Sequence, residues 1–132
     1  MYNKLIMSDI DNKTKKSFQE TMTIEERKAH SLAIKNKYPD RIPIIMQRSK
    51  DDRILGDLDK IKYLVPGNLT TSEFMKILRR RLNVNSSTSI YLFNPDYKIL
   101  LSGTNTIDYL YDKYKNQDNF LYIEYCGENT FG

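Results

Sequence analysis

The residue types that most often carry out catalysis are scarce in this chain of 132 residues. It contains one histidine, His30, and one cysteine, Cys126, and neither has a second ligand at metal-binding spacing. The 17 acidic residues are scattered, without an isolated pair in an apolar stretch that would indicate acid–base catalysis. The sequence therefore predicts a protein that is not an enzyme, with no catalytic residue, metal or cofactor. A Cys126 nucleophile with His30 as its base remains an alternative only if the fold unites them.

The C-terminal residues combine an aromatic segment with a tail that ends on glycine. Residues 120–125 alternate apolar and mixed side chains and are rich in β-branched and aromatic types, which predicts a strand. Residues 127–132 have no apolar periodicity and are expected to form a flexible tail. Because Gly132 has no side chain to block attack on its carbonyl, its carboxylate suits activation and transfer to an amine. The alternative is that the chain simply ends there.

Length and composition favour one globular domain in a reducing compartment. Hydrophobic residues make up 39% of the chain and aromatic residues 11%, enough for a single modest core. The net charge of +4 favours acidic peptides or anionic membranes as partners, and it falls short of a nucleic-acid-binding signature. No apolar run reaches the about 18 residues that a membrane span needs, and the N-terminus has no apolar signal core. With a single cysteine, the protein is expected in the cytoplasm.

Three helices are predicted from capping residues and hydrophobic spacing. The pair Thr23 and Glu26 has the form of a capping box, in which hydroxyl and carboxylate satisfy backbone amides at a helix start. A second such pattern begins at Thr70, and Thr106 is expected to cap the third helix. The predicted helices cover residues 24–37, the segment from Thr70 to about Leu82, and residues 107–114. Residues 1–22 are expected to be a flexible or short-helical extension, with a short helix over 13–22 around Phe18.

Four strands are predicted, at residues 41–46, 60–65, 90–93 and 120–125, with a brief further pairing at 99–101. Pro43 indicates either that the first strand is not in a fully paired central position or that it contains a bulge. The element order β-β-α-β-α-β, with the last strand parallel to the first, makes a β-grasp. The predicted fold class is α+β: a ubiquitin-like β-grasp with a four-stranded mixed sheet and an N-terminal helical extension. Residues 23–126 form the domain and residues 127–132 the tail.

The strand at 60–65 alternates charged and apolar residues at its start, which predicts a position near a sheet edge. Such an edge can accept an extended peptide by strand addition. Because the strand period is two, ligand anchors three residues apart need one apolar pocket on each face. One pocket could be built from Ile34, Pro43, Ile45, Leu64 and Phe120, the other from Tyr63, Val65, Pro66, Leu69, Phe74 and Ile77, rimmed by Arg41, Lys62 and Arg81. The alternative is an ordinary core with a solvated charged face.

Several blocks resemble the GABARAP-type autophagy ubiquitin-like modifiers from about residue 24 to the end. They are KYPDRIP at 37–43, GDLDKIKYLVP at 56–66, LT at 69–70, RRR at 79–81, FLYI at 120–123 and ENTFG at 128–132. The resemblance implies that Gly132 is activated as a thioester and joined to the amine of phosphatidylethanolamine. It also implies an aromatic-pocket set of His30, Ile34, Pro43, Ile45, Lys62, Leu64 and Phe120, and an aliphatic-pocket set of Tyr63, Val65, Pro66, Leu69, Phe74, Ile77 and Arg81, with Arg41 as charged rim. By the same resemblance, both sets are expected to bind adaptor peptides of the form aromatic-x-x-aliphatic.

The resemblance implies an autophagy modifier that recruits cargo receptors and adaptors to autophagosomal membranes. Its expected partners are activating and conjugating enzymes, a processing or deconjugating cysteine protease, adaptor and cargo-receptor peptides, and covalently bound phosphatidylethanolamine, but no nucleic acid. It is expected in the cytoplasm, and on autophagosomes and related vesicles once lipidated. The alternative is an unconjugated β-grasp adaptor in membrane trafficking.

The chain departs from the family in three places. His30 stands where family members usually have an acidic residue, so peptide selectivity is expected to change or binding to become pH-sensitive. Residues 97–106 replace a proline-containing loop with a longer one. The N-terminus is also extended, so membrane-tethering roles of the family's first helix are not transferred to this chain.

Overall fold

The computed structural model describes residues 6–7 and 17–129 of the chain. Its helices are α1 (Phe18–Thr21), α2 (Ile24–Lys37), α3 (Thr71–Leu82) and α4 (Ile107–Tyr114). Its strands are β1 (Ile6–Met7), β2 (Arg41–Arg48), β3 (Lys62–Pro66), β4 (Thr88–Asn94), β5 (Ile99–Leu100) and β6 (Leu121–Asn129). All three predicted helices are present, and α2 has the predicted bounds. The expectations for residues 1–5, 8–16 and 130–132, including Gly132, lie outside the described residues.

Capping boxes determine where the first three helices begin. At Ser17, Thr23 and Thr70 the hydroxyl accepts a hydrogen bond from the amide three residues later, and the glutamate at that position accepts one in return. Ser17 has extended backbone dihedrals, so α1 begins at Phe18 and does not continue the predicted helix back through Ser17. The structural reason is that an N-cap residue lies outside the helix that it caps.

The six strands form one mixed sheet in the order β1-β3-β2-β6-β4-β5. β2 pairs antiparallel with β3 and parallel with β6, and β6 pairs antiparallel with β4. Two antiparallel strands followed by a crossover helix and a central parallel strand confirm the ubiquitin-like β-grasp. Among the described residues the sheet has six strands where four were predicted: β5 is the brief pairing expected at 99–101, whereas β1 was not predicted.

Pro43 lies in a central strand but is paired only with β3, so the expectation that it is not in a fully paired position is confirmed, and the alternative of a bulge is wrong. The amide of Met46 donates to the carbonyl of Ile61, the residue before β3, at 2.7 Å. Antiparallel residues face their partner strand alternately, so the nitrogen of Pro43 points to the opposite side, towards β6. The pairing with β6 starts only at Ile44, opposite Leu121. The missing N–H of Pro43 is therefore at a point where no ladder bond is formed.

The sheet separates two hydrophobic clusters. The main core, on the face covered by α3 and α4, contains Ile42, Ile44, Met46, Leu55, Leu58, Tyr63, Val65, Phe74, Leu78, Ile90, Leu92, Leu101, Ile107, Leu110, Leu121, Ile123 and Tyr125. The α2-side cluster contains Phe18, Ile34, Ile45, Leu64, Phe120 and Tyr122. Alternate residues of β2, β3 and β6 divide between the two clusters, as the strand period requires.

A buried polar network attaches α2 to the start of β6. Asp118 is fully buried and accepts hydrogen bonds from the Arg27 guanidinium, at 2.8 Å, and from the Tyr122 hydroxyl. Its other carboxylate oxygen accepts the amide of Phe120 at 2.8 Å. The hydroxyl of Ser31, also buried, donates to the Asp118 carbonyl at 2.6 Å. This network sets the position of α2 over the sheet, and therefore the shape of the α2-side cluster.

Candidate functional site

The side chains of β3 divide between the two faces of the sheet as the sequence predicted. Leu64 belongs to the α2-side cluster, whereas Tyr63 and Val65 belong to the main core. The buried Lys62 lies on the same side as Leu64 and contacts His30 of α2. One short strand therefore contributes to both of the residue sets singled out in the sequence.

The backbone of β3 has one side towards β2 and one side away from it. Because Met46 pairs with Ile61 through a hydrogen bond, the pairs of Ile44 with Tyr63 and of Ile42 with Val65 are hydrogen-bonded as well. The N–H and C=O of Leu64 consequently point away from β2. This outer edge of β3 was expected to be free, and that expectation is corrected, because β1 pairs with it through Ile6 opposite Leu64 and Met7 opposite Tyr63.

Four members of the aromatic-pocket set, Ile34, Ile45, Leu64 and Phe120, come together in the α2-side cluster. Phe18 of α1 packs among them with 2% of its surface exposed, and its ring meets that of Phe120 edge-to-face at 5.1 Å. Pro43 is buried on the same face of β2 as Ile45. Sequence reasoning placed Phe18 in a short helix but did not assign it to this cluster. The sole local signal was a lone aromatic residue in a polar segment.

His30 and Lys62 form a polar contact beside this cluster. The Lys62 ammonium is within hydrogen-bonding distance of His30 Nε2, and the imidazole packs edge-to-face on Phe120 at 6.1 Å. Burial, together with the positive charge of Lys62, lowers the pKa of His30 below its usual 6.5. The imidazole is therefore neutral at pH 7 and accepts the lysine proton donor.

The aliphatic-pocket set lies on the opposite face and is mostly closed. Tyr63, Val65 and Phe74 are fully buried in the main core, and the rings of Tyr63 and Phe74 pack edge-to-face at 6.1 Å. Pro66 and Ile77 are also buried, and Leu69 is half-buried against the core. The Tyr63 hydroxyl is buried and has no hydrogen-bond partner among the described residues. A peptide side chain could enter this face only if these residues move apart.

The cations named in the sequence border β3 at both ends. The Arg81 guanidinium is 3.9 Å from the Asp59 carboxylate, a partly exposed ion pair of small energetic effect. Arg41 lines an open groove of about 450 Å³ together with Asp40, Pro66 and Asp108. A larger open groove of about 690 Å³ borders the other end of β3, where Phe18, Ile45 and Ile61 form part of its wall.

The C-terminal strand extends beyond its predicted end. The predicted strand stops at residue 125, whereas β6 continues to Asn129, which pairs with Thr88 of β4. Residues 127–129, expected in the flexible tail, are therefore part of the sheet. Pairing with β4 supplies backbone hydrogen bonds that alternation of side chains alone does not predict.

Asp52 holds the base of this extension. Its buried carboxylate accepts the Gly127 amide at 3.0 Å and the Leu55 amide at 3.1 Å, and it pairs with the Arg48 guanidinium at 2.7 Å. Burial by itself would raise the pKa of Asp52, but these hydrogen bonds outweigh it and lower the pKa to about 2. Leu55 lies directly over Gly127, so that a Cβ there would be 2.6 Å from Leu55 Cγ. The loop after β2 thus encloses the strand that leads to the C-terminus.

The two reactive residue types lie in different parts of the fold. His30 packs on Phe120, the residue just before β6, whereas Cys126 lies within β6 opposite Tyr91. Cys126 is six residues after Phe120, which corresponds to about 20 Å along an extended strand. Burial and the nearby Asp52 and Asp51 charges raise the pKa of the Cys126 thiol, which disfavours the thiolate. Within residues 17–129, no group of three or more His, Cys, Asp or Glu side chains could hold a metal ion.

None of the helices in the described part of the chain is both long enough and apolar enough to span a membrane. The sheet order, the crossover helix and the parallel central strand define the chain as a ubiquitin-like protein. A family model described as "Autophagy protein Atg8 ubiquitin like" matches residues 26–132. The chain belongs to this Atg8 family of autophagy proteins.

Individual relatives agree with the family match. Autophagy-related protein 8d of Arabidopsis thaliana is 39% identical over 117 residues, covering 88% of this chain and 94% of the relative. Autophagy-related protein 8 of Schizosaccharomyces pombe is 39% identical over 115 residues, covering 87% and 93% respectively. The crystal structure of Trypanosoma brucei ATG8 superposes with a TM-score of 0.79 at 31% identity, covering 90% of this chain and all of that one. These matches indicate the Atg8 family as a whole and do not single out its GABARAP-type branch.

Proposed function

We propose that this autophagy ubiquitin-like protein is conjugated through Gly132 to phosphatidylethanolamine. The family match runs to residue 132, which supports a role for the terminal glycine. β6, which the Asp52 loop holds through the Gly127 amide, continues to Asn129, three residues before Gly132. Phosphatidylethanolamine carries two acyl chains, and two chains are the usual requirement for stable membrane anchoring. Conjugation would therefore convert a domain without a membrane-spanning helix among its described residues into a membrane-bound one.

The second half of the proposed function is capture of adaptor and cargo-receptor peptides at β3. The observation that supports it best is the geometry of that strand: the Leu64 N–H and C=O point outward between apolar sets on opposite faces of the sheet. An added strand whose anchors are three residues apart presents them to those two faces. The Lys62 and Arg41 charges favour acidic residues next to the anchors.

The proposed partners follow from these two roles. They are the activating and conjugating enzymes of autophagy, a processing or deconjugating cysteine protease, adaptor and cargo-receptor peptides, and phosphatidylethanolamine as the covalent partner. The proposed locations are the cytoplasm and, after lipidation, autophagosomes and related vesicle membranes. In this scheme the protein is a substrate of enzymes and not an enzyme itself.

Conjugation is tested by reconstitution with Atg8-family activating and conjugating enzymes and liposomes containing phosphatidylethanolamine. Gly132→Ala is expected to abolish the thioester and the lipidated product, because a side chain hinders attack at the terminal carbonyl. Leu100→Ala, at an exposed position in β5, is the control and is expected to be lipidated normally. A wild-type chain that forms no thioester, or a Gly132→Ala chain that is lipidated normally, would contradict conjugation and favour the unconjugated adaptor.

Peptide capture is tested with a matched pair of core substitutions. Leu64→Ala and Leu92→Ala remove the same atoms from residues of similar burial, 5% and 2% exposed, and each should destabilise by about 2–5 kcal/mol. Only Leu64 lies in the α2-side cluster, so only its replacement is expected to weaken an acidic aromatic-x-x-aliphatic peptide, by about tenfold. The affinities are measured by fluorescence anisotropy under conditions where both variants are folded. Equal affinities would contradict the proposal that a peptide binds with one anchor on each face of the sheet.

A further inference from the structure

The outer edge of β3 is occupied by the chain's own N-terminal segment. β1 pairs antiparallel with β3, with Ile6 opposite Leu64 and Met7 opposite Tyr63. Since the Leu64 N–H and C=O point away from β2, the Ile6–Leu64 pair is the hydrogen-bonded one, and the N–H of Met7 points away from β3. β1 therefore uses the same backbone groups that strand addition of a peptide requires.

We propose that residues 6–7 act as an internal ligand of β3, which a partner peptide must displace before it can pair with this strand. The proposal rests on the peptide-capture function proposed above and adds its regulation. The family match begins at residue 26, so the segment that occupies the edge precedes the region that defines the family. The competition is consequently a property of the N-terminal extension of this chain.

The size of the effect follows from competition for one site. An internal strand lowers the apparent affinity of a peptide in proportion to the fraction of molecules whose edge is free. One hydrogen-bonded pair contributes two backbone hydrogen bonds, whose combined net effect corresponds to about tenfold in an equilibrium constant. A two-residue strand thus weakens every peptide that pairs with β3 by about tenfold and leaves the edge accessible to strong ligands.

The register of β1 supplies a matched pair of variants in the full-length chain. Ile6→Pro removes the N–H that faces Leu64, which disrupts the pairing. Met7→Pro removes an N–H that points away from β3, and proline is tolerated at such edge positions. Both variants carry one proline in the same short segment, so they differ chiefly in the hydrogen bond to β3.

The test measures binding of a labelled acidic peptide with the core Trp-Glu-Glu-Leu to the wild type and both variants. Ile6→Pro is expected to bind about tenfold more tightly than wild type, and Met7→Pro about as tightly as wild type. A synthetic peptide of residues 1–12 is expected to displace the probe from the Ile6→Pro protein. Equal affinity of the labelled peptide for all three proteins would overturn the internal ligand while leaving peptide capture intact.

Hydrogen exchange at the Leu64 amide separates failure of this inference from failure of the proposed function. The amide is expected to be protected in the wild type and in Met7→Pro, and to exchange faster in Ile6→Pro, whether or not any peptide binds. If none of the three proteins binds the labelled peptide, the proposed peptide capture is wrong, and so is the displacement of β1 by a partner. Exchange at the Leu64 amide still shows whether β1 occupies the edge of β3. Equal exchange in all three proteins would overturn the occupancy itself.

Discussion

Replacement of Asp52 by asparagine is expected to destabilise the protein in a pH-dependent way. The carboxylate is buried, accepts amides from its own loop and from Gly127, and pairs with Arg48. Asparagine keeps one oxygen acceptor but replaces the other with a donor, which then faces the Arg48 guanidinium and the Gly56 amide. The variant therefore loses the charged pair and leaves buried donors unsatisfied.

The expected magnitude comes from the pKa of Asp52, which is lowered from 3.8 to about 2 in the folded protein. By linkage, this difference corresponds to about 2 kcal/mol of stability at neutral pH. The folded pKa is depressed, so the stabilisation is fully present above the unfolded pKa and is lost as the pH falls towards 2. The linkage relation leaves about half of this stabilisation at pH 3.

Urea unfolding at pH 7, 4 and 3 measures this directly. The free energy of unfolding of Asp52→Asn should be at least about 2 kcal/mol below that of wild type at pH 7, and the gap should shrink by about 1 kcal/mol at pH 3. Asp51→Asn is the control, since its side chain is exposed and its replacement should change stability by less than about 0.5 kcal/mol. A gap that is absent at pH 7, or that does not shrink on acidification, would refute the assignment of Asp52 as the charged group that holds β6.

Three further predictions concern the core and the His30 site. Gly127→Ala should destabilise by about 1–3 kcal/mol in urea unfolding because its Cβ would be 2.6 Å from Leu55 Cγ, and in a double-mutant cycle with Leu55→Ala the combined loss should be smaller than the sum of the two single losses. Arg27→Ala should cost about 3–5 kcal/mol because it leaves Asp118 buried without its charged partner; a loss below 1 kcal/mol in urea unfolding would contradict this. Burial and the adjacent lysine charge lower the pKa of His30, so the free energy of unfolding should fall as the pH drops below 6.5. His30→Gln should lack this pH-dependent loss of stability. An NMR titration midpoint of His30 at or above 6.5 would contradict the prediction.

The helices were predictable because their signals are local. The Thr23 and Thr70 boxes place every participating atom within three residues, and both occur in the structure as predicted. The alternation of β3 was predictable for the same reason, because side-chain direction in a strand follows sequence parity. Pro43 could be predicted not to be fully paired, but not which of its neighbours is missing, since that depends on where β6 starts, 78 residues later in the chain at Leu121.

The polar contacts that hold the site in place were not predictable from local patterns. Asp118 is bonded to Arg27 across 91 residues, and Asp52 to Gly127 across 75. In sequence each is one of 17 acidic residues, and acidic residues are mostly exposed. Only the folded chain brings each carboxylate to its donors, so burial cannot be inferred from composition or spacing. The predicted end of β6 at residue 125 failed similarly, because its continuation depends on pairing with β4.

The position of β1 follows from conflicting demands on the edge of β3. An outer edge with an outward-facing Leu64 N–H is useful for strand addition, and for the same reason it is prone to pair with unintended strands. A long covering strand would protect this edge and also exclude partners. Two residues, Ile6 and Met7, cover it with a single hydrogen-bonded pair, which an added peptide with apolar anchors on both faces can outcompete. A strand of this length is too short to produce an alternating sequence pattern, which is why the covered edge was expected to be free.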